Sequence, residues 1–225
     1  MPQALIIGAS RGIGLEFARQ YLAAGWTVHA THRSEPDRIT LRDLGANTLK
    51  LDVNDINDVA GIAWQLEDEP LDVVVVNAGV YGPRGSAMIS SPSDKDFDLV
   101  MRTNVLAALR LVPMVAPLLS KNRGTLAFVS SRMGSIAETG ASFGSLYRVS
   151  KAAVNMVAKL AHVEHGALGI RVLSLHPGWV RTDMGGPNAD VEAAVSVDGM
   201  RNVIANPAAY PSGCFYDYRG QSLAW

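Results

Sequence analysis

The chain has 225 residues, 48% of them apolar and 18% charged, enough for one sizeable core and typical of a globular enzyme rather than a disordered or coiled polymer. A net charge of −1 gives no electrostatic reason to bind nucleic acid or an anionic membrane. Cys214 is the only cysteine, which excludes an internal disulfide and a cysteine-rich metal site and agrees with a reducing compartment.

The chain opens with a predicted strand at 4–7, then a glycine-rich turn and a helix at 12–24 that Gly25 stops. Strands follow at 27–31 and 48–51, a helix at 56–66, and a strand at 71–77. Within the last, Val73-Val74-Val75-Val76 implies burial on both faces, as in the middle of a parallel sheet covered by helices. A helix at 97–119 is expected to kink or end at Pro113 and Pro117. A strand at 124–130, a helix at 147–165 and strands at 170–176 and 213–216 complete the pattern. This alternation predicts an α/β fold, a doubly wound parallel sheet of about seven strands with helices on both faces, in a single domain over 1–225. Residues 185–197, with a Gly/Pro/Asn opening and an acidic middle, are expected to form a mobile flap over a substrate site. The first apolar run has no basic region before it and stops at Gly8, and no run reaches the ~20 apolar residues of a membrane span, so a cytoplasmic protein without a membrane partner is expected.

Two motifs carry chemistry. Gly8-Ala9-Ser10-Arg11-Gly12-Ile13-Gly14 joins the first strand to the first helix, where glycines let a pyrophosphate approach main-chain N–H groups at a helix N-terminus. The spacing is GxxxGxG rather than GxGxxG, and its place after the first strand of an alternating chain favours a phosphate site over an ordinary tight turn. Tyr147 and Lys151 stand four apart and share one helical face. A phenol with a pKa near ~10 becomes a useful acid or base at neutral pH when a cation favours its phenolate, and Lys151 is placed to be that cation.

These motifs, with Asn77-Ala78-Gly79, Asn104, the pair Ser130-Ser131 and Pro177-Gly178 in the same order, make the chain resemble the short-chain dehydrogenase/reductase family over essentially its full length. The run from Ser130 to Ser135, the stretch from His176 to Gly186 and the ending around Phe215 and Tyr218 are especially similar to small carbonyl-reductase-like and C-factor-like members.

The resemblance implies that Gly8, Ser10, Arg11, Gly12, Ile13 and Gly14 hold a cofactor pyrophosphate, that Asp52 and Val53 touch adenine, and that Asn77, at the cofactor site, mainly stabilises the central sheet while Ala78 and Gly79 line the adenine ribose. Pro177, Gly178, Val180 and Thr182 would meet the nicotinamide. The second strand ends in Ala30-Thr31-His32-Arg33-Ser34 with no acid before Glu35. Arg33, aided by Arg11, would accommodate a 2′-phosphate, so NADP(H) is expected over NAD(H).

By the same resemblance Tyr147 is the general acid of carbonyl reduction, and Lys151 lowers its pKa and holds the nicotinamide ribose. Ser131 would bond the substrate oxygen, and Asn104 would fix a helix distortion and a proton-relaying water. Ser131 lies sixteen residues before Tyr147, about three more than is common in the family, which leaves Ser135 as an alternative. The function implied is hydride transfer between nicotinamide and a small to medium carbonyl compound or secondary alcohol. The alternative is a cofactor-binding signalling or scaffold protein with little turnover. No metal is expected, and the assembly is open among monomer, homodimer and homotetramer.

Overall fold

The computed structural model describes residues 1–67, 69–83 and 91–225. Seven parallel strands form one sheet in the order β3-β2-β1-β4-β5-β6-β7: β1 Gln3–Ile7, β2 Thr27–His32, β3 Asn47–Lys50, β4 Val73–Val76, β5 Thr125–Val129, β6 Arg171–His176 and β7 Cys214–Asp217. The helices are α1 Gly12–Ala23, α2 Glu35–Asp43, α3 Ile56–Gln65, α4 Asp94–Met101, α5 Ala107–Ser120, α6 Ser145–His165 and α7 Ala193–Ala205. Helices α3, α5 and α6 cover one face of the sheet, and α1, α2 and α7 the other. The two cores are separate because alternate side chains of each strand point to opposite faces: Val74 and Val76 lie in one, Val73 and Val75 in the other. All four valines are buried, each worth ~1.5–3 kcal/mol relative to exposure.

Strand order reverses between β1 and β4. Loops leaving the carboxyl ends of neighbouring strands diverge there, and the crevice they leave is the usual ligand position in an open α/β sheet.

Helices α4 and α5 are one continuous run joined by a π-helical turn, Arg102–Leu106. The run of 27 residues is long and apolar enough to cross a membrane, yet half of its most apolar window is buried inside the protein, where it packs on β4, β5, α3 and α6. Pro113 and Pro117 do not end it, contrary to expectation. Both are exposed and four apart, on the solvent side of the helix, where water can bond the carbonyls they leave free.

Two helices escaped the sequence reading. Helix α2 buries only Leu41 and is held by a Pro in its first turn and a Ser34 cap. Helix α7 takes up the end of 185–197, so that segment is only partly a loop. The rest of it is tied down: Val180 and Val191 form a parallel bridge, and Arg181 bonds the Ala189 carbonyl at 2.8 Å and pairs with Glu192. Ser196 Oγ donates to the Pro177 carbonyl at 2.6 Å. Buried Arg171 donates to the Val203, Ile204 and Tyr210 carbonyls at 2.6, 2.6 and 3.0 Å, placing a cation at the negative end of α7.

Candidate active site

The β1–α1 turn is folded against the start of the β4 loop. At Gly8, φ is 86°, and a Cβ there would lie 2.7 Å from the Ala78 nitrogen. At Gly14 a Cβ would lie 2.0 Å from the Gly8 carbonyl oxygen, the same oxygen that accepts a 2.8 Å bond from Asn77 Nδ2. Gly14 therefore permits the closure of the turn, and Asn77 locks it. The Thr31 hydroxyl accepts from the Gly8 N–H at 2.9 Å, a contact the sequence reading missed. Helix α1 has no side-chain cap and no acid in its first turn. Its leading N–H groups and partial positive charge are left to face an anion, and a side-chain-free cradle lies beside them.

A cleft of about 1170 Å³ runs from this turn across the sheet ends. Gly8, Ser10, Arg11, Gly12, Ile13, Arg33, Val53, Asn77, Ala78, Gly79, Ser131, Tyr147, Lys151, Pro177, Gly178, Val180 and Thr182 all line it. Gly14, Asp52 and Asn104 do not and act from behind the wall. Asp52 accepts from the Asn54 N–H at 3.0 Å, and its carboxylate does not cap α3, a role taken by Asp55. Exposed Arg33 has no ion-pair partner among the described residues, while Arg11 reaches across the cleft mouth to Asp183 at 3.0 Å.

Ser131 follows β5 and caps the short turn 132–134 through a bond from the Met133 N–H at 3.2 Å. Its hydroxyl lies beside the Tyr147 phenol and favours the phenolate. Ser135 is buried away from that centre, accepting from the Glu138 N–H at 3.1 Å and donating to the Trp225 carbonyl at 3.5 Å. Ser130 points to the other side and bonds Asn155 at 2.6 Å, as strand alternation requires. Of the two candidate serines, Ser131 meets the phenol; the longer interval before Tyr147 is taken up by the loop holding Ser135.

Asn104 sits in the π-helical turn, so the helix distortion expected around it is present. Its carboxamide clamps Val80, accepting from the N–H at 2.8 Å and donating to the carbonyl at 2.9 Å, and it also donates to Ser150 Oγ at 2.9 Å. Asn104 thereby joins the β4 loop to α6, one residue before Lys151. Lys151 Nζ donates to the Val129 carbonyl at 2.9 Å and lies 5.6 Å from the centre of the Tyr147 ring.

Burial dominates the electrostatics of the Tyr147–Lys151 pair. It pushes Tyr147 up to about 12, with the Ser131 hydroxyl opposing and Tyr81 adding to the rise. Burial also drives Lys151 down to about 8.

Phe143 and Trp179, which the sequence already places at the substrate cleft, line it, and so do Tyr81, Met133 and His176, which were not chosen from the sequence. Tyr81 stands two residues beyond Asn77-Ala78-Gly79, and His176 immediately precedes Pro177-Gly178, so adjacency to those motifs was the available signal.

The model of the family described as short chain dehydrogenase matches residues 2–193. The chain belongs to that family. It is 39% identical to C-signal of Myxococcus xanthus over 69% of this chain and 93% of that protein. Among solved structures, a short-chain dehydrogenase/reductase from Burkholderia multivorans with bound NADP superposes with a TM-score of 0.91 at 32% identity, covering 100% of this chain and 99% of that one. The NADPH-bound carbonyl reductase from chicken fatty liver gives 0.88 at 30% identity with the same coverage. The fold is that of the family, and the chain is a member of a group of oxidoreductases whose carbonyl reductases it resembles in structure.

Proposed function

We propose that the protein is an NADP(H)-dependent oxidoreductase that interconverts a small to medium carbonyl compound and its alcohol. The observation that carries this reading is the meeting of Ser131, Tyr147 and Lys151 in the same cleft as the glycine cradle. Gly8 to Ile13 and the open N-terminus of α1 would hold the pyrophosphate. Val53, Ala78 and Gly79 would contact the adenosine half, and Val180 and Thr182 the nicotinamide end. Arg33 supports a preference for the 2′-phosphate, since no acid stands between the end of β2 and Glu35.

When bound, the nicotinamide supplies or accepts the hydride. In reduction the Tyr147 phenol gives its proton to the substrate oxygen as charge develops there, and in oxidation it takes the proton back. The Ser131 hydroxyl donates a hydrogen bond to the same oxygen. Lys151, held by the Val129 carbonyl, binds the ribose and supplies positive charge beside the phenol. Asn104 acts as a positioning residue through Val80 and Ser150.

A panel of ketones and aldehydes offered with NADPH and with NADH tests the reading. Reduction of at least one carbonyl, faster with NADPH, is expected. A second reading, a nucleotide-binding signalling or scaffold protein in the reducing cytoplasm, is favoured by the 39% identity to C-signal. It gains if nucleotide binds and no carbonyl is turned over. For assembly, the outer face of α6 exposes Val149, Met156, Leu160 and Val163, with Leu109 exposed on α5, and we place a homodimer contact there. A mass equal to one chain in light scattering would contradict it.

A further inference from the structure

Three buried side chains follow one another at four-residue spacing along α6: Tyr147, Lys151 and Asn155. The first two serve the chemistry proposed above, which makes no use of the third. Asn155 is 3% exposed and stands behind the cleft wall rather than in it. A buried carboxamide is costly unless its oxygen and its NH₂ group find partners, and the two that Asn155 finds flank Ser131.

Asn155 Oδ1 accepts from Ser130 Oγ at 2.6 Å, and Nδ2 donates to the Gly134 carbonyl at 3.4 Å. Between Ser130 and Gly134 the backbone makes the tight turn that carries Ser131. The Ser131 carbonyl accepts from the Gly134 N–H at 2.8 Å, and its hydroxyl accepts from the Met133 N–H at 3.2 Å. One carboxamide thus holds the residue before Ser131 and the residue that closes the turn after it.

The same turn is pressed onto α6. A Cβ at Gly134 would lie 2.6 Å from the Lys151 carbonyl carbon and 2.8 Å from the Ala152 nitrogen. One helical turn before Asn155, Lys151 Nζ donates to the Val129 carbonyl at 2.9 Å. The end of β5 and the turn after it are therefore fastened at Val129, Ser130 and Gly134 to the helix that bears Tyr147.

We propose that Asn155 is a positioning residue that sets the Ser131 hydroxyl against Tyr147 by tying Ser130 and Gly134 to α6. It acts through Ser131 and does not reach the cleft itself. The proposal rests on the reductase reading above and adds to it the residue that fixes the geometry between the two groups meeting the substrate oxygen.

Asn155→Leu, close in size and unable to bond, and Ser130→Ala test it, each alone and combined with Ser131→Ala. In the wild-type background each should lower kcat for the best carbonyl about tenfold and leave KM for NADPH within about twofold, as misplacement of a group at the reacting centre requires. In the Ser131→Ala background neither should lower kcat by more than about twofold further, because the group they position is gone. Losses that multiply in full on top of Ser131→Ala overturn the proposal, and so does a kcat near wild type in both single variants. Ser130→Ala removes a single oxygen and carries the comparison where Asn155→Leu does not fold.

Phenolate absorbance with NADP⁺ bound, taken as the difference from Tyr147→Phe, gives a readout without turnover. Ser131 favours the phenolate, so Asn155→Leu and Ser130→Ala should each move the Tyr147 titration upward by about half a pH unit in the wild-type background and not in the Ser131→Ala background. Tyr81 and Lys151, which also stand beside the phenol, are untouched by these substitutions. If wild type turns over no carbonyl, the reductase reading fails and the titration alone decides. A shift that depends on Ser131 then supports the role of Asn155, and no shift, or an equal shift in both backgrounds, refutes it.

Discussion

Tyr81 stacks on Tyr147 with ring centroids 4.7 Å apart and planes inclined by 28°. The contact helps bury the phenol on which the proposed chemistry depends. It leaves Tyr147 a resting acid, with its pKa pushed up to about 12 and Lys151 down at about 8. The shifts act in opposite senses: the folded chain keeps the phenol's proton to higher pH than a free tyrosine does, and gives up the lysine's at lower pH. A cationic nicotinamide beside the phenol would favour phenolate. Phenolate absorbance should therefore appear at least one pH unit lower with NADP⁺ than without it, and Tyr147→Phe should abolish that difference. Identical titrations with and without NADP⁺ would refute this.

Ser131 and Ser135 should separate cleanly. Ser131→Ala removes the hydroxyl beside the phenol and the donor to the substrate oxygen, and should lower kcat about 10²-fold with little change in thermal midpoint. Ser135→Ala should leave kcat within about threefold and cost about 1 kcal/mol of stability through the Glu138 and Trp225 contacts. Steady-state kinetics and melting curves on both variants check this, and the reverse pattern would move the catalytic role to Ser135.

Cofactor choice rests on Arg33 and Arg11. Arg33→Ala should raise KM for NADPH about tenfold and leave KM for NADH almost unchanged, as loss of a charge-assisted bond to a phosphate requires. Arg11→Ala should act in the same direction without destabilising the fold, since its pair with Asp183 is well exposed and worth little. Equal effects on both cofactors would contradict the assignment.

Much of this site was legible because its residues are constrained by backbone chemistry. Gly14 has no room for a side chain, and Tyr147 and Lys151 are a fixed helical repeat. The central strand Val73–Val76 was legible because both its faces are buried and its sequence is continuously apolar. Helix α2 was not, because a surface helix with a single buried residue has no apolar stripe to read. Helix α7 was hidden by the polar opening of 185–197, and only the fold shows Arg171 waiting at its far end. Tyr81 was missed for another reason. Its importance lies in the Tyr147 ring it stacks on, and one sequence contains no such distances. The fall in the pKa of Lys151 also depends on burial that spacing alone does not reveal.

His176 should make the fold acid-sensitive. A free histidine near 6.5 takes up its proton in the unfolded chain before the folded ring, at about 4, does so. The folded state therefore loses stability as pH falls from 6.5 towards 4, by up to roughly 3 kcal/mol. Denaturant melts of wild type and His176→Phe across that window should converge as pH falls, because the phenylalanine has no proton to gain. A constant difference between them would show that the ring is not held neutral.

The most direct test of the account is the initial rate of NADPH oxidation with the best carbonyl from the panel, measured for wild type and Tyr147→Phe at equal cofactor occupancy. The account predicts that the variant binds NADPH as wild type does and that its kcat falls at least 10²-fold, the usual worth of a positioned proton donor. A Tyr147→Phe protein that reduces the carbonyl at near the wild-type rate would contradict the assignment of Tyr147 as the acid.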